Sequence, residues 1–172
     1  EKLSQWVDWT DRTTAVIFGD GAGAAVVGPS DTPGIGPVVW GSVGEKADAI
    51  KVKDRNSFLQ QEGQAVFRWA TTALHPVARR ACERAGVRPE DLAAFVPHQA
   101  NLRIVEAIAR KLGAEKAVIA KDIVLSGNTS AASIPLALSR MIERGEVPSG
   151  GLALLLGFGA GLTYAGQVIE IP

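Results

Sequence analysis

Two short segments hold the residues best suited to chemistry. In Pro97-His98-Gln99-Ala100-Asn101 an imidazole follows an apolar run, and it is the side chain best able to donate or exchange a proton near neutral pH. In Gly127-Asn128-Thr129-Ser130 a carboxamide sits in a Gly-Asn turn ahead of a helical pattern, where its N–H₂ could donate to a developing oxyanion. A third segment, Gly157 to Gly161, is glycine-rich and could expose backbone N–H groups for the same purpose. Each has a plain structural reading when taken alone: a packed histidine, a turn-forming asparagine, a tight strand connection.

Other candidates carry less. Gly19-Asp20-Gly21-Ala22-Gly23 lacks the strand–turn–helix context of a nucleotide-binding GxGxxG loop, because Ala24 to Gly28 reads as a continuing strand. His75 lies beside Pro76 inside a helical pattern, which suits a structural role. Cys82 falls in an apolar helical series with Leu74, Ala78 and Ala85, and reads as a small packed side chain rather than a nucleophile. No His/Cys cluster has metal-ligand spacing, so no metal site is expected.

The elements that must position these loops follow from periodicity. Thr13 to Gly19 reads as a buried strand, Ala24 to Gly28 as a second, and Ile35 to Val43 as a third. Lys46 to Gln60 reads as an exposed loop. Gln61 to Gly86 is helical, with Val66, Trp69, Ala70, Ala73, Val77 and Ala81 on one face, a kink or break expected at Pro76, and Gly86 as the stop. Leu92 to Val96 is a short strand leading to His98, and Asn101 is a credible N-cap for a helix ending at Gly113. A third helix starts near Ser130 with Pro135 in its first turn, and two strands, Leu152 to Phe158 and Leu162 to Ile171, close the chain. Strands first, then helix and strand in alternation, predict an α/β layer structure with a mixed sheet.

Composition sets outer limits. A chain of 172 residues with 47% hydrophobic and 21% charged residues suits one globular domain spanning 1–172. Eighteen basic residues balance eighteen acidic ones, which gives no reason to expect nucleic-acid or membrane binding. No apolar run approaches the roughly 20 residues that span a bilayer. A single cysteine excludes an internal disulfide framework and fits a reducing, cytoplasmic compartment. The chain opens at Glu1 with neither an initiator methionine nor a signal-like segment.

Taken together, the loops resemble the C-terminal half of β-ketoacyl-acyl carrier protein synthase III, a condensing enzyme of the thiolase superfamily. The resemblance is carried by Asp11-Arg12, Phe18 to Ala25 (FGDGAGAA), Glu62-Gly63, Val96 to Ile104 (VPHQANLRI), Gly127 to Ser133 (GNTSAAS) and Gly157 to Gly161 (GFGAG). It implies the second of two βαβαβαββ halves, with a mixed five-stranded sheet covered by helices. It also implies a Cys-His-Asn triad in which His98 and Asn128 are the second and third members, the cysteine lying in the other half. Ala160 is matched to an oxyanion-hole backbone N–H. Its side chain stands where a glycine is common, which matters only if a positive φ is required there. Gly63, Phe67, Ala100, Asn101 and Phe158 match substrate-binding positions along the pantetheine arm, and Arg103 matches a contact to the carrier protein.

The activity implied is a decarboxylative Claisen condensation of an acyl-CoA primer with malonyl-acyl carrier protein, initiating fatty acid synthesis with no cofactor beyond these substrates. The implied partners are the missing N-terminal half, the acyl carrier protein, and a second copy forming a homodimer of the complete enzyme. Alone, this chain is expected to be inactive. Two alternatives stay open: a related synthase of polyketide or other secondary metabolism, and a non-catalytic scaffolding half.

Overall fold

A computed structural model describes all residues, Glu1–Pro172. The segments form β1 (Val39–Ser42), β2 (Ile50–Val52), β3 (Leu59–Gln61), α1 (Gly63–Ala85), β4 (Ala94–Pro97), α2 (Leu102–Leu112), β5 (Val118–Ile119), α3 (Ile123–Ser126), α4 (Ser133–Glu143), β6 (Leu152–Gly159) and β7 (Thr163–Glu170). Five strands make one mixed sheet in the order β1-β7-β6-β4-β5. The pairs β5–β4 and β4–β6 are parallel, whereas β6–β7 and β7–β1 are antiparallel. The mixed five-stranded, helix-covered sheet expected from the sequence is therefore present.

Both faces of the sheet are covered, which is why its strands read as nearly continuous apolar runs. Phe95, Leu154, Leu156 and Phe158 point to the side where α1 and α2 pack, burying Leu74, Ala81, Ile104 and Ile108 among them. Ala94, Val96 and Ala153 point to the other side and pack with Ala137 and Met141 of α4. The alternation along β4 and β6 thus feeds two separate cores.

Local signals account for the helix ends. Asn101 caps α2 by accepting a hydrogen bond from the Arg103 N–H at 2.9 Å, and Gly113 ends it in the left-handed region at φ +80°. Gly86 ends α1 in the same way at φ +69°. Of the kink or break expected at Pro76, no break occurs: α1 continues through it. Pro76 lies on the exposed face of α1, so the Thr72 carbonyl that loses its N–H partner faces water. No helix is long and apolar enough to cross a membrane.

Four further expectations fail or hold only in part. Thr13 to Gly19 and Ala24 to Gly28 are not strands: only an isolated parallel bridge, Phe18 to Asn128, is made, and Val16, Val26 and Val27 are largely exposed. A strand needs a hydrogen-bonded neighbour, and this chain places none beside them. The third strand is shorter than Ile35 to Val43, with Ile35 contributing only a single bridge to Ile169. The presumed loop 46–60 contains most of the β2–β3 hairpin, a separate two-stranded sheet.

Candidate active site

The carboxyl ends of the parallel strands β4 and β6 lie side by side, with Pro97 opposite Leu156. Such ends are where α/β sheets place their ligands. His98 extends β4 by one residue and donates its backbone N–H to the Leu156 carbonyl at 2.8 Å. Asn128 reaches the same place from the loop before α4, because its backbone is bracketed by the 17–19 segment. The Asn128 N–H donates to the Ile17 carbonyl and the Gly19 N–H donates to the Asn128 carbonyl, both at 2.9 Å. His98, Ala100, Asn128, Phe158 and Ala160 line one cavity of about 710 Å³.

The Asn128 side chain has a defined orientation. Its Oδ1 accepts from the Ser130 backbone N–H at 2.9 Å, forming an Asx turn. Only an oxygen can accept that hydrogen, so the Nδ2 group is the one left free to donate. Ser130 is the only non-glycine residue with positive φ, at +52°, a conformation that side chains adopt at a cost.

The His98 imidazole is held on two sides. Its Nδ1 lies 2.7 Å from the Ser133 hydroxyl, and its ring meets Phe158 edge-on with centroids 5.1 Å apart and planes at 72°. Phe158 in turn meets Trp69 of α1 edge-on at 6.4 Å. Burial pushes the His98 pKa down to about 4, against a hydrogen bond to the Ser130 backbone that acts in the opposite direction. The ring is neutral at pH 7, with one nitrogen able to donate and the other to accept.

The loop after His98 is anchored by Gln99, which is 1% exposed. Its Nε2 donates to the Pro97 carbonyl at 2.7 Å and to the Ala120 carbonyl at 3.3 Å, and its Oε1 accepts from the Ile123 N–H at 3.1 Å. These bonds tie the end of β4 to β5 and α3.

The remaining expected site residues divide. Ala160 is on the cavity wall without positive φ, so the side chain that replaces glycine there causes no strain; the positive φ falls on Gly161, at 121°. Gly63, Phe67 and Asn101 lie outside the cavity lining. Gly63 opens α1, Phe67 is half-buried against the core, and the Asn101 carbonyl group is engaged in capping α2. Arg103 is exposed on α2. Cys82 is buried in α1, and burial pushes its thiol pKa up to about 11, the opposite of what a nucleophile needs. No group of three or more His, Cys, Asp or Glu side chains is gathered as a metal site would require.

Sequence reasoning missed several residues. Gln99 and Ser133 lie inside the two recognised loops, but only the fold reveals that they hold His98. Trp40, Leu59 and Tyr164 also line the cavity. They come from β1, β3 and β7, and no local pattern could bring them together.

Known proteins share this fold. The family model for 3-oxoacyl-[acyl-carrier-protein] synthase III, C-terminal, matches residues 82–171, and the companion model for the same synthase matches residues 1–44. Beta-ketoacyl-[acyl-carrier-protein] synthase III 4 of Streptomyces coelicolor is 61% identical across the whole chain, and the Mycobacterium avium mycobacterial beta-ketoacyl-[acyl-carrier-protein] synthase III is 50% identical. The chain spans 55% of the length of each. Among solved structures, a priming beta-ketosynthase from a polyketide biosynthetic pathway superposes with a TM-score of 0.94 at 48% identity, over 99% of this chain and 55% of that one. The 3-oxoacyl-[acyl-carrier-protein] synthase III of Aquifex aeolicus gives 0.90 at 40% identity, over the same shares. A fold shared this closely, together with family models that match more than half of its residues, places the chain in the 3-oxoacyl-[acyl-carrier-protein] synthase III family.

Proposed function

We propose that this chain supplies two hydrogen-bond donors, His98 and Asn128, to a decarboxylative Claisen-condensing site. The observation that carries the reading is the oriented pair: an Asn128 amide whose oxygen is already engaged, and a neutral His98 imidazole, opening on one cavity. A cysteine from another part of a longer protein attacks an acyl-CoA primer, its sulfur bonding the acyl carbon as the bond to CoA breaks and CoA leaves as the free thiol. Malonyl-acyl carrier protein then loses CO₂, and the electron pair of the broken C–C bond remains on the thioester α-carbon, delocalised onto the thioester oxygen. His98 and Asn128 donate to that oxygen. The α-carbon attacks the acyl thioester, a C–C bond forms, the C–S bond breaks and the cysteine leaves as thiolate.

Donors aimed at developing charge typically contribute 10²- to 10³-fold each, about 3 to 4 kcal/mol. Ala160 offers its backbone N–H from the same wall, and Phe158 packs beside the entering arm. Gly63, Phe67, Ala100 and Asn101 belong to the approach along which the pantetheine travels. Arg103, exposed on α2, is placed to meet an acidic carrier protein.

The test is malonyl-acyl carrier protein decarboxylation after mixing this chain with a cysteine-bearing partner half. Activity is expected only in the mixture, falling at least 100-fold in His98→Ala and in Asn128→Ala. Robust turnover by the chain alone, or full activity in either variant, would overturn the reading. A second reading, the priming of a polyketide chain, is favoured by the close likeness to a priming beta-ketosynthase. Fatty-acid and polyketide carrier proteins compared in the same assay separate the two.

A further inference from the structure

We infer that Ser133 is a positioning residue that fixes the tautomer of His98, holding Nδ1 as an acceptor so that Nε2 carries the hydrogen. The inference rests on the proposed function only for the use made of that hydrogen.

Ser133 opens α4 and is 1% exposed. Its hydroxyl makes two polar contacts: the Gln99 backbone N–H at 3.2 Å and the His98 Nδ1 at 2.7 Å. The Gln99 N–H can only donate, so it occupies a lone pair of the Ser133 oxygen. The hydroxyl hydrogen then has one acceptor within reach, the Nδ1 lone pair. A 2.7 Å separation is normal for a hydrogen bond with a hydroxyl. Were Nδ1 protonated instead, two donors would converge on the serine oxygen and its own hydrogen would be buried without a partner, at a cost of about 1 to 3 kcal/mol. A ring hydrogen on Nδ1 directed at the Ser130 backbone, the other polar group that touches the imidazole, would leave the serine hydrogen unpartnered at the same cost. A neutral imidazole with Nδ1 accepting must carry its hydrogen on Nε2.

The chain thereby sets both donors by one device. Ser130 engages the acceptor atom of Asn128, and Ser133 engages the acceptor atom of His98, leaving the N–H face of each side chain free. Both serines belong to the turn that leads into α4.

The experiment is a long-range ¹H–¹⁵N correlation spectrum of the chain with ¹⁵N-labelled histidine at pH 7, with His98→Gln identifying which of the two histidines is which. His98 is expected to show a protonated Nε2 and a hydrogen-bonded, unprotonated Nδ1. In Ser133→Ala the Nδ1 resonance is expected to move toward its free value, and the imidazole to titrate at higher pH, because the donor that opposed Nδ1 protonation is gone. A protonated Nδ1 in the unsubstituted chain overturns the inference, and so does an Nδ1 resonance unmoved in Ser133→Ala. Should Ser133→Ala not fold, the spectrum of the unsubstituted chain decides alone. None of these readouts involves turnover. A correct tautomer with no effect of His98→Ala on decarboxylation would therefore refute the proposed function and leave the tautomer assignment intact.

Discussion

Replacing Gln99 by leucine tests the view that one buried amide holds the His98 loop. The substitution keeps size and removes three hydrogen bonds, to Pro97, Ala120 and Ile123. The 3.3 Å contact to Ala120 is the weakest of these, so the magnitude rests on the Pro97 carbonyl and the Ile123 N–H. Leaving such groups unpaired costs about 1 to 3 kcal/mol each, and burying leucine recovers about 1 kcal/mol of that loss. A net destabilisation of about 1 to 5 kcal/mol follows, equivalent to a Tm lowered by about 2 to 20 °C for a domain of this size. Urea unfolding followed by circular dichroism measures it. Gln99→Glu sharpens the test. It keeps an acceptor for Ile123 but turns an oxygen toward two carbonyls, so the folded state favours the protonated carboxyl and raises its pKa above the ordinary value. Stability relative to wild type is then fully present below the ordinary glutamate pKa of about 4.3 and is lost as pH rises above it toward the raised folded-state value. Gln99→Leu within 0.5 kcal/mol of wild type, or a Gln99→Glu deficit that ignores pH, would refute the reasoning.

Three other outcomes are expected. Because His98 is held near a pKa of 4 against an ordinary 6.5, the unfolded chain binds the proton first. Its contribution is therefore full above about pH 6.5 and is lost as pH falls toward 4, amounting to about 3 kcal/mol; denaturant unfolding of His98→Gln should lack that part of the pH slope. Gly23→Ala would set a methyl group against Pro135, 2.9 Å from its Cβ, and should destabilise by about 1 to 3 kcal/mol in thermal melts, whereas Gly28→Ala meets nothing and should melt unchanged. The Cys82 thiol, buried and with its pKa pushed up to about 11, should resist a disulfide reagent at pH 8 until the chain is unfolded; rapid native labelling would contradict its packed position.

Much of the fold could be read from local pattern. The long helix, the Asn101 cap, the Gly86 and Gly113 stops, and the strand before His98 all rest on side chains acting within a few residues. The failures concern elements whose state depends on distant neighbours. Val16, Val26 and Val27 have strand-forming side chains, yet a strand exists only where another supplies its hydrogen bonds. Conversely, β5 is two residues long and β2 three, too short for any period to show, and they are strands because β4 and β3 lie beside them. The candidate site divides in the same way. His98 and Asn128 sit in loops with recognisable order, while Gln99 and Ser133 differ from ordinary polar residues only through what the folded chain brings within 3 Å of them.

The bridge between the 17–19 segment and Asn128 couples two regions of the molecule mechanically. Both backbone groups of Asn128 are spoken for by Ile17 and Gly19, and the adjoining turn is fastened by Asp20, which accepts hydrogen bonds from Ser4 at 2.6 and 2.8 Å. The opening residues therefore act as a strap whose far end is the loop carrying a proposed donor. The position of that donor is thus set from two directions at once, by the loop leading into α4 and by a segment more than a hundred residues earlier in the chain.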